Sequence, residues 1–335
     1  MKKKVAILYG GLSQGRLFPI CFETQKKYLI DPNKDNYDFD IFIHHWEDDG
    51  NLKNWCPWYK NKSKTNFEIN KDYIFNIIKP KKYLFETQIN VSDKKYSKFI
   101  GEGFKTYGGK NKHPIWYNLM RSEKLGITYN FTSVSMFLSY YKCKNLMLEY
   151  ENENNFKYDI IILFRPEYFL FKKINLDNYN LSILNVHHYH YYNKILLLNN
   201  ILNEKNKMNG KKNYLPRIFI NLFTVTNRCN AIYLLNFFEN IKKYNYSNKK
   251  IQKFVNYKID NNITYLVCQN IAFYLKNKKI KVKQCILKSL IGGTYRNNDD
   301  VSLYYYHIPP YLYKMNFNKK LTYTEILKIE KKNKH

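Results

Sequence analysis

Short apolar runs alternate with amphipathic stretches along most of this chain. The clearest run is Ile160-Ile-Ile-Leu-Phe164, five consecutive apolar residues, three of them β-branched, lying between the polar pair Asn154-Asn155 and the break Arg165-Pro166-Glu167. Such a run is too short for an independent helix and predicts a strand buried on both faces. Proline removes a ladder donor and restricts the residue before it, which ends the strand at Arg165. Val5 to Tyr9, Phe39 to Ile43, Lys81 to Glu86, Ser182 to Val186, Arg217 to Val225 and Ile280 to Val282 predict further strands. Tyr73 to Ile78 predicts a short helix ended by Lys79-Pro80. Met136, Tyr140, Cys143, Met147 and Tyr150 recur at three- and four-residue spacing, predicting a helix capped at Thr132 or Ser133. Asn230 to Ile241 and Ile263 to Leu275 predict two more helices. Strand, helix and strand in succession indicate an α/β fold with a mostly parallel central sheet flanked by helices. With no internal repeat and no clear linker, residues 1–318 are expected to form one domain, followed by a basic tail over 319–335.

In open α/β sheets ligands bind beyond the carboxyl ends of strands, so the residues that end each run are the candidates for chemistry. The first strand runs into Gly10-Gly11 and then Arg16. Glycine there lets backbone N–H groups approach a phosphate, although a plain tight turn reads the same, and the G-x-G-x-x-G spacing of dinucleotide sites is absent. The second strand delivers His44-His45-Trp46-Glu47-Asp48-Asp49, aromatic and hydrogen-bonding groups suited to a base and a ribose. Adjacent histidines on a strand point to opposite faces, and a structural role for one of them is the expectation. Arg165 and Glu167 follow the central strand, where they could meet a charged ligand or form an ion pair closing a corner. Gly101 to Gly109 packs four glycines into nine residues and predicts a loop, either a lid or a variable insertion. His187-His188-Tyr189-His190 suggests metal binding, but H-H-x-H has no established ligand geometry.

Composition changes this picture little. Lys and Arg total 56 against 27 Asp and Glu, a formal charge of +29, yet only six of the cations are arginine. Groove and phosphate readers favour arginine's planar fork. Lys, Asn, Ile, Tyr and Phe are abundant together and share A/T-rich codons, so the charge is weak evidence for nucleic acid. Nucleotide phosphates and an anionic membrane surface suit it equally. Six scattered cysteines without a C-x-x-C pair indicate reduced thiols in a cytoplasmic protein. No apolar window is long enough to span a bilayer. Together with the basic tail, this leads to the expectation of a cytoplasmic chain, peripheral at most on the membrane.

Several segments, in order, resemble a family of bacterial and viral glycosyltransferase-like proteins that build surface carbohydrate. These are Val5-Ala-Ile-Leu-Tyr-Gly-Gly with Arg16, Asp40-Ile-Phe-Ile-His44-His-Trp46 and Pro80-Lys-Lys-Tyr-Leu-Phe-Glu86. The most specific stretch runs from Ser135-Met136 through Lys144-Asn-Leu146 and Tyr150-Glu151 to Asn155-Phe-Lys-Tyr-Asp159 and Arg165-x-Glu167. Weaker matches follow at Phe223 and Ile280-Lys-Val282. The resemblance implies a GT-A-like fold and transfer of a sugar from a nucleotide-sugar donor to a polysaccharide, lipid-linked or glycan acceptor. It implies a nucleotide site around Gly10, Gly11, Arg16, His44 and Trp46. The family's Arg-x-Asp becomes Arg165-x-Glu167 here, and two later acidic positions fall at Asn221 and Cys268. The implied metal, Mg or Mn at Glu167, and turnover itself are therefore the points at which this chain departs from the family. A relative that binds sugar nucleotide or glycan without turnover is the alternative, and a basic nucleic-acid-binding protein the third reading. Glycosyl transfer develops charge on the leaving diphosphate, which Arg165 and Arg16 could meet. Asp48, Asp49 and Glu167 are the candidate bases for the acceptor hydroxyl.

Overall fold

The computed structural model describes residues 2–11, 18–47, 71–87, 123–166, 168, 170, 173–187, 223–240, 271, 274, 275 and 277–285. Side chains at 20, 123–134, 284 and 285 are not described. Arg16, Asp48, Asp49, the glycine-rich stretch, Glu167, His188, His190, Asn221, Cys268 and the tail from 319 all lie outside the described residues.

Among the described residues seven strands form one sheet: β1 (Lys3–Gly11), β2 (Tyr37–Glu47), β3 (Lys82–Thr87), β4 (Ile160–Phe164), β5 (Leu184–His187), β6 (Phe223–Asn227) and β7 (Val282–Cys285). Their order is β3-β2-β1-β4-β6-β5-β7. β1 pairs in parallel with β2 and β4, β2 with β3, and β5 with β7, while β6 runs antiparallel to both of its neighbours. The sheet is therefore mixed, with β6 reversed relative to the other described strands. From β1 the chain steps outward to β2 and β3, then returns to the far side of β1 at β4. That reversal creates a switch point between the carboxyl ends of β1 and β4, where α/β sheets open a crevice.

Alternation along the strands divides the interior into two layers. Ala6 and Leu8 of β1, Phe42 and Trp46 of β2 and Ile161 and Leu163 of β4 pack with Tyr140, Cys143 and Met147 of the long helix α3, Glu123–Asn154. Val5, Ile7, Tyr9, Ile41, Ile43, Ile160, Ile162 and Phe164 face the other way, onto Phe18 and Phe22 of α1, Phe18–Gln25. A strand covered on both sides has no polar face, which is why Ile160–Phe164 carries no alternation. On this second side lies α2, Lys71–Tyr73 with its π-helical continuation Ile74–Ile78, ended by Lys79 in a left-handed conformation. Near the other edge, α4 (Arg228–Leu235) and α5 (Phe237–Asn240) follow β6, capped by Asn227 and separated at Asn236.

Two sequence expectations change here. Helix α3 extends well before Thr132 and Ser133, which sit inside it rather than capping it, because neither residue obliges a helix to start when its neighbours are helical. The single helix expected from Asn230 to Ile241 begins at Arg228 and is split at Asn236, whose φ/ψ of −68°/−7° leaves the regular helix.

The stretch most specific in sequence joins α3 to β4, at the amino edge of the sheet. Asn155 takes a positive φ of 53°, which asparagine tolerates at a helix end. Buried Glu151 accepts from the Tyr158 backbone N–H at 2.9 Å and from Arg228 Nη2 at 2.7 Å. Asp159 accepts from the Lys4 amide at 2.8 Å, and the Tyr158 hydroxyl donates to Asp40 at 2.8 Å. These residues lock β4 into register beside β1, opposite the crevice.

Gly10 shows how tightly α3 lies on the sheet. A Cβ there would meet Tyr140 Cδ1 at 2.7 Å and the Tyr140 backbone nitrogen at 2.9 Å. Since helix backbone cannot yield as a flexible side chain would, Gly10→Ala is expected to destabilise the fold by about 1–3 kcal/mol, read from the urea midpoint.

Candidate functional site

At the switch point β1 ends in two glycines with different roles. Gly10 makes room for α3, as above. Gly11 has φ +131°, which side chains rarely adopt, and among the described residues nothing lies within 4 Å of where its Cβ would be. A residue without a Cβ puts no side chain of its own in the way of a ligand approaching the backbone there. Register sets Gly10 beside His44 and Gly11 beside His45. Arg165 comes one residue beyond the Tyr9–Phe164 pair, so it lies at the same strand edge, alongside Gly10.

The turn carrying Arg165 is held from below by a residue the sequence reading missed. Gln25, the last residue of α1 and fully buried, accepts from the Tyr9 hydroxyl at 2.5 Å. Its amide donates to the Tyr168 carbonyl at 2.5 Å and the Pro166 carbonyl at 3.4 Å. Thr24 Oγ1 takes the Leu170 amide at 3.0 Å. Arg165 itself lies with its Cζ 5.9 Å from the Tyr168 ring centroid. A glutamine in a short helix gives no sequence signal for this, because its value comes from the three segments it joins.

Beneath the same edge an aromatic row crosses four strands. Tyr9 stacks on Phe164 at 6.1 Å, Phe164 meets Phe223 edge-on at 5.0 Å, and Phe223 meets His187 at 5.0 Å. Tyr179 closes the row 5.4 Å from His187. His187 is 4% exposed, and among the described residues neither ring nitrogen has a hydrogen-bond partner. Burial pushes its pKa down to about 3, so the ring is neutral.

The other expected residues, His44 and Trp46, are beside the edge but point into the core. Trp46 is 1% exposed, its Nε1 donates to the Ser135 carbonyl at 3.3 Å, and its ring lies 4.6 Å from that of His44. It packs under α3 and presents no face on which a base could stack. His44 Nε2 lies 3.1 Å from Glu86 Oε2 and Nδ1 lies 2.6 Å from Ser139 Oγ. Lys142 bonds the same Glu86 oxygen. The His44 bond, ahead of the Lys142 bond, holds Glu86 down to about 2, so this carboxylate accepts from Nε2–H and leaves Nδ1 to accept the Ser139 proton. The Ser-His-Glu order resembles a nucleophilic triad, yet Ser139 and His44 are buried, so it serves as a clamp between β2, β3 and α3. His45 points to the opposite face, 6.2 Å from Phe85, as strand alternation requires. Among the described residues no three His, Cys, Asp or Glu side chains are grouped to hold a metal ion. Among them, too, no helix is long and apolar enough to cross a membrane.

Two outcomes follow from this burial. Trp46→Ala should lower stability by about 3–5 kcal/mol in denaturant titration, a packing loss rather than a loss of stacking. His44, His45 and His187 all sit below the usual imidazole pKa, chiefly through burial, the last two at about 3. The unfolded chain therefore binds protons that the folded chain does not, and stability falls as pH drops below about 6.5. Each such histidine adds a slope approaching 1.4 kcal/mol per pH unit. Glu86 adds a further loss as pH falls from 4.5 toward about 2. Urea midpoints between pH 7 and 4 measure the slope, and His187→Phe should make it shallower while raising stability at neutral pH.

No protein-family model matches the chain, and no curated protein matches it. What the β1–β4 edge does is therefore a matter of its geometry and of the ordered motifs that lead into it.

Proposed function

We propose that the chain is a nucleotide-sugar-dependent glycosyltransferase of GT-A-like fold, moving a sugar to a surface polysaccharide, lipid-linked or other glycan acceptor. The observation that carries this reading is the switch point itself. A positive-φ glycine ends β1, and Arg165 follows β4 alongside the neighbouring Gly10 on a turn fixed by buried Gln25. Backbone N–H groups near Gly11 and the Arg165 guanidinium suit a diphosphate, the group on which negative charge grows during glycosyl transfer. A turn immobilised before the ligand arrives needs little rearrangement as that charge develops. The ordered resemblance in the first 170 residues, and a largely parallel sheet with one reversed strand, support the same assignment.

Within it, Arg165 binds the donor diphosphate, with Arg16 as a second cation from the segment after β1. Glu167, two residues on, is the carboxylate that would hold Mg or Mn, and a divalent ion there would neutralise diphosphate charge. The nucleotide contacts Gly11, with Gly10, His44 and Trp46 supporting this edge from the core side. A second reading, a relative that binds sugar nucleotide without turnover, is favoured by glutamate standing where the resembled family has aspartate.

A thermal-shift panel of nucleoside diphosphates and nucleotide sugars is the direct test. A ligand at 100 times its Kd should add about 2.7 kcal/mol of stability, and no shift with any of them would reject both readings. Donor hydrolysis or transfer separates the first from the second. For the enzyme, Arg165→Ala should lower kcat by about 10²–10³, Glu167→Asp should preserve metal-dependent turnover, and Glu167→Gln should lose it. Turnover that survives Arg165→Ala and ignores both a chelator and Glu167→Gln would make this strand end purely structural.

A further inference from the structure

The buried histidines of the sheet differ in what their ring nitrogens meet. His187 has no hydrogen-bond partner for either nitrogen among the described residues. His44, whose side chain is fully buried, has one for each: Glu86 Oε2 lies 3.1 Å from Nε2 and Ser139 Oγ lies 2.6 Å from Nδ1. The Ser139 oxygen is also 3.2 Å from the carbonyl oxygen of His44 itself. One hydroxyl proton thus has two acceptors within reach, and both belong to the same histidine.

That arrangement suits both charge states of the ring. With the ring neutral, Nε2–H donates to Glu86 and the Ser139 hydroxyl donates to Nδ1. With the ring protonated, Nδ1–H donates to Ser139 Oγ, and the hydroxyl turns to donate to the His44 carbonyl. No heavy atom has to move, no polar group loses its partner, and the new charge faces a carboxylate. A protonated His187 would instead carry its charge against the Phe223 and Tyr179 rings, an expensive position. Among the described residues, the titratable groups around His44 are Glu86 from β3, Lys142 and the Cys143 thiol from α3, and His45 on the opposite face of β2, while β1 presents Gly10. Burial is the largest influence on His44 and lowers its pKa, the Glu86 bond raises it, Lys142 lowers it, and burial keeps the Cys143 thiol protonated. Proton uptake therefore falls below the ordinary imidazole value of about 6.5, in a range where Glu86, held down to about 2, is still ionised.

We propose that the Ser139 hydroxyl is a proton-state switch, turning between Nδ1 and the carbonyl of His44 so that His44 takes up a proton inside the intact fold. The Ser139–His44–Glu86–Lys142 cluster then passes from neutral to a single positive charge while β2, β3 and α3 stay joined. Acidification charges the sheet beside Gly10, the β1 residue in register with His44, before it melts the protein. The stability lost through His44 as pH falls below about 6.5 stops growing once the folded ring is protonated, whereas the loss through His187 continues to about 3. Nothing in this assignment depends on the transferase reading.

Long-range proton–nitrogen correlation NMR on the full chain, labelled at histidine, reads the protonation of each ring nitrogen. Contact with the Trp46 indole, whose ring lies 4.6 Å away, assigns the His44 signals. At neutral pH Nε2 alone should carry a proton. As pH falls, Nδ1 should gain one while the backbone amide spectrum remains that of the folded protein. Ser139→Ala leaves a protonated Nδ1 without an acceptor and should lower this pKa by about one unit. Glu86→Gln, which still accepts from Nε2–H but carries no charge, should lower it as well. A parent His44 that stays neutral until the amide spectrum collapses would overturn the assignment, whether or not the variants fold. An unchanged pKa in a folded Ser139→Ala would overturn it too, since the hydroxyl would then take no part in holding the charged ring.

Discussion

The parallel pairing of β1 with β4, enclosed between α3 and the α1 layer, is the constraint on which the other features depend. All five residues of β4 and residues 5–9 of β1 are completely buried. Two strands without a solvent face cannot shift register by one residue without moving every side chain into the wrong layer. The amino edge holds that register with backbone and carboxylate contacts, through Lys4, Asp159, Glu151 and Arg228. Because the register is held there, the opposite ends of the same strands, at Gly11 and Arg165, arrive side by side.

Polar groups in this protein mostly serve to fasten layers. Gln25 ties α1 to β1 and to the turn after β4, and the Ser139–His44–Glu86 chain ties α3 to two strands. A buried polar group left without a partner costs about 1–3 kcal/mol, so the fully partnered ones specify how the layers meet. His187 differs, its two ring nitrogens having no hydrogen-bond partner among the described residues inside the aromatic row. The same burial makes three histidines neutral, which gives the molecule an acid sensitivity unrelated to any catalytic role.

Most of the fold was legible from local pattern. The run Ile160–Phe164 announced a doubly covered strand because burial on both sides removes the need for polar alternation. Each predicted strand for which residues are described has its counterpart, shifted by a few residues at the ends. Helix starts were less legible, since Thr132 and Ser133 suit a cap or an interior equally well, and the neighbouring residues decided between them.

For the candidate site, the sequence by itself determined that glycines end the first strand and that Arg165 follows the central one, because proline and glycine act through local backbone geometry. It also determined that His44 and His45 would part to opposite faces, a consequence of strand periodicity. Only the tertiary structure decided what those residues meet. Gly10 is required by a helix arriving from more than a hundred residues away, and Trp46, a reasonable stacking platform on paper, lies under that same helix. Gln25 became the support of the Arg165 turn through contacts more than 140 residues distant in the chain. Periodicity encodes which face a side chain takes, but what covers that face depends on segments far away in sequence, and no local pattern carries that information.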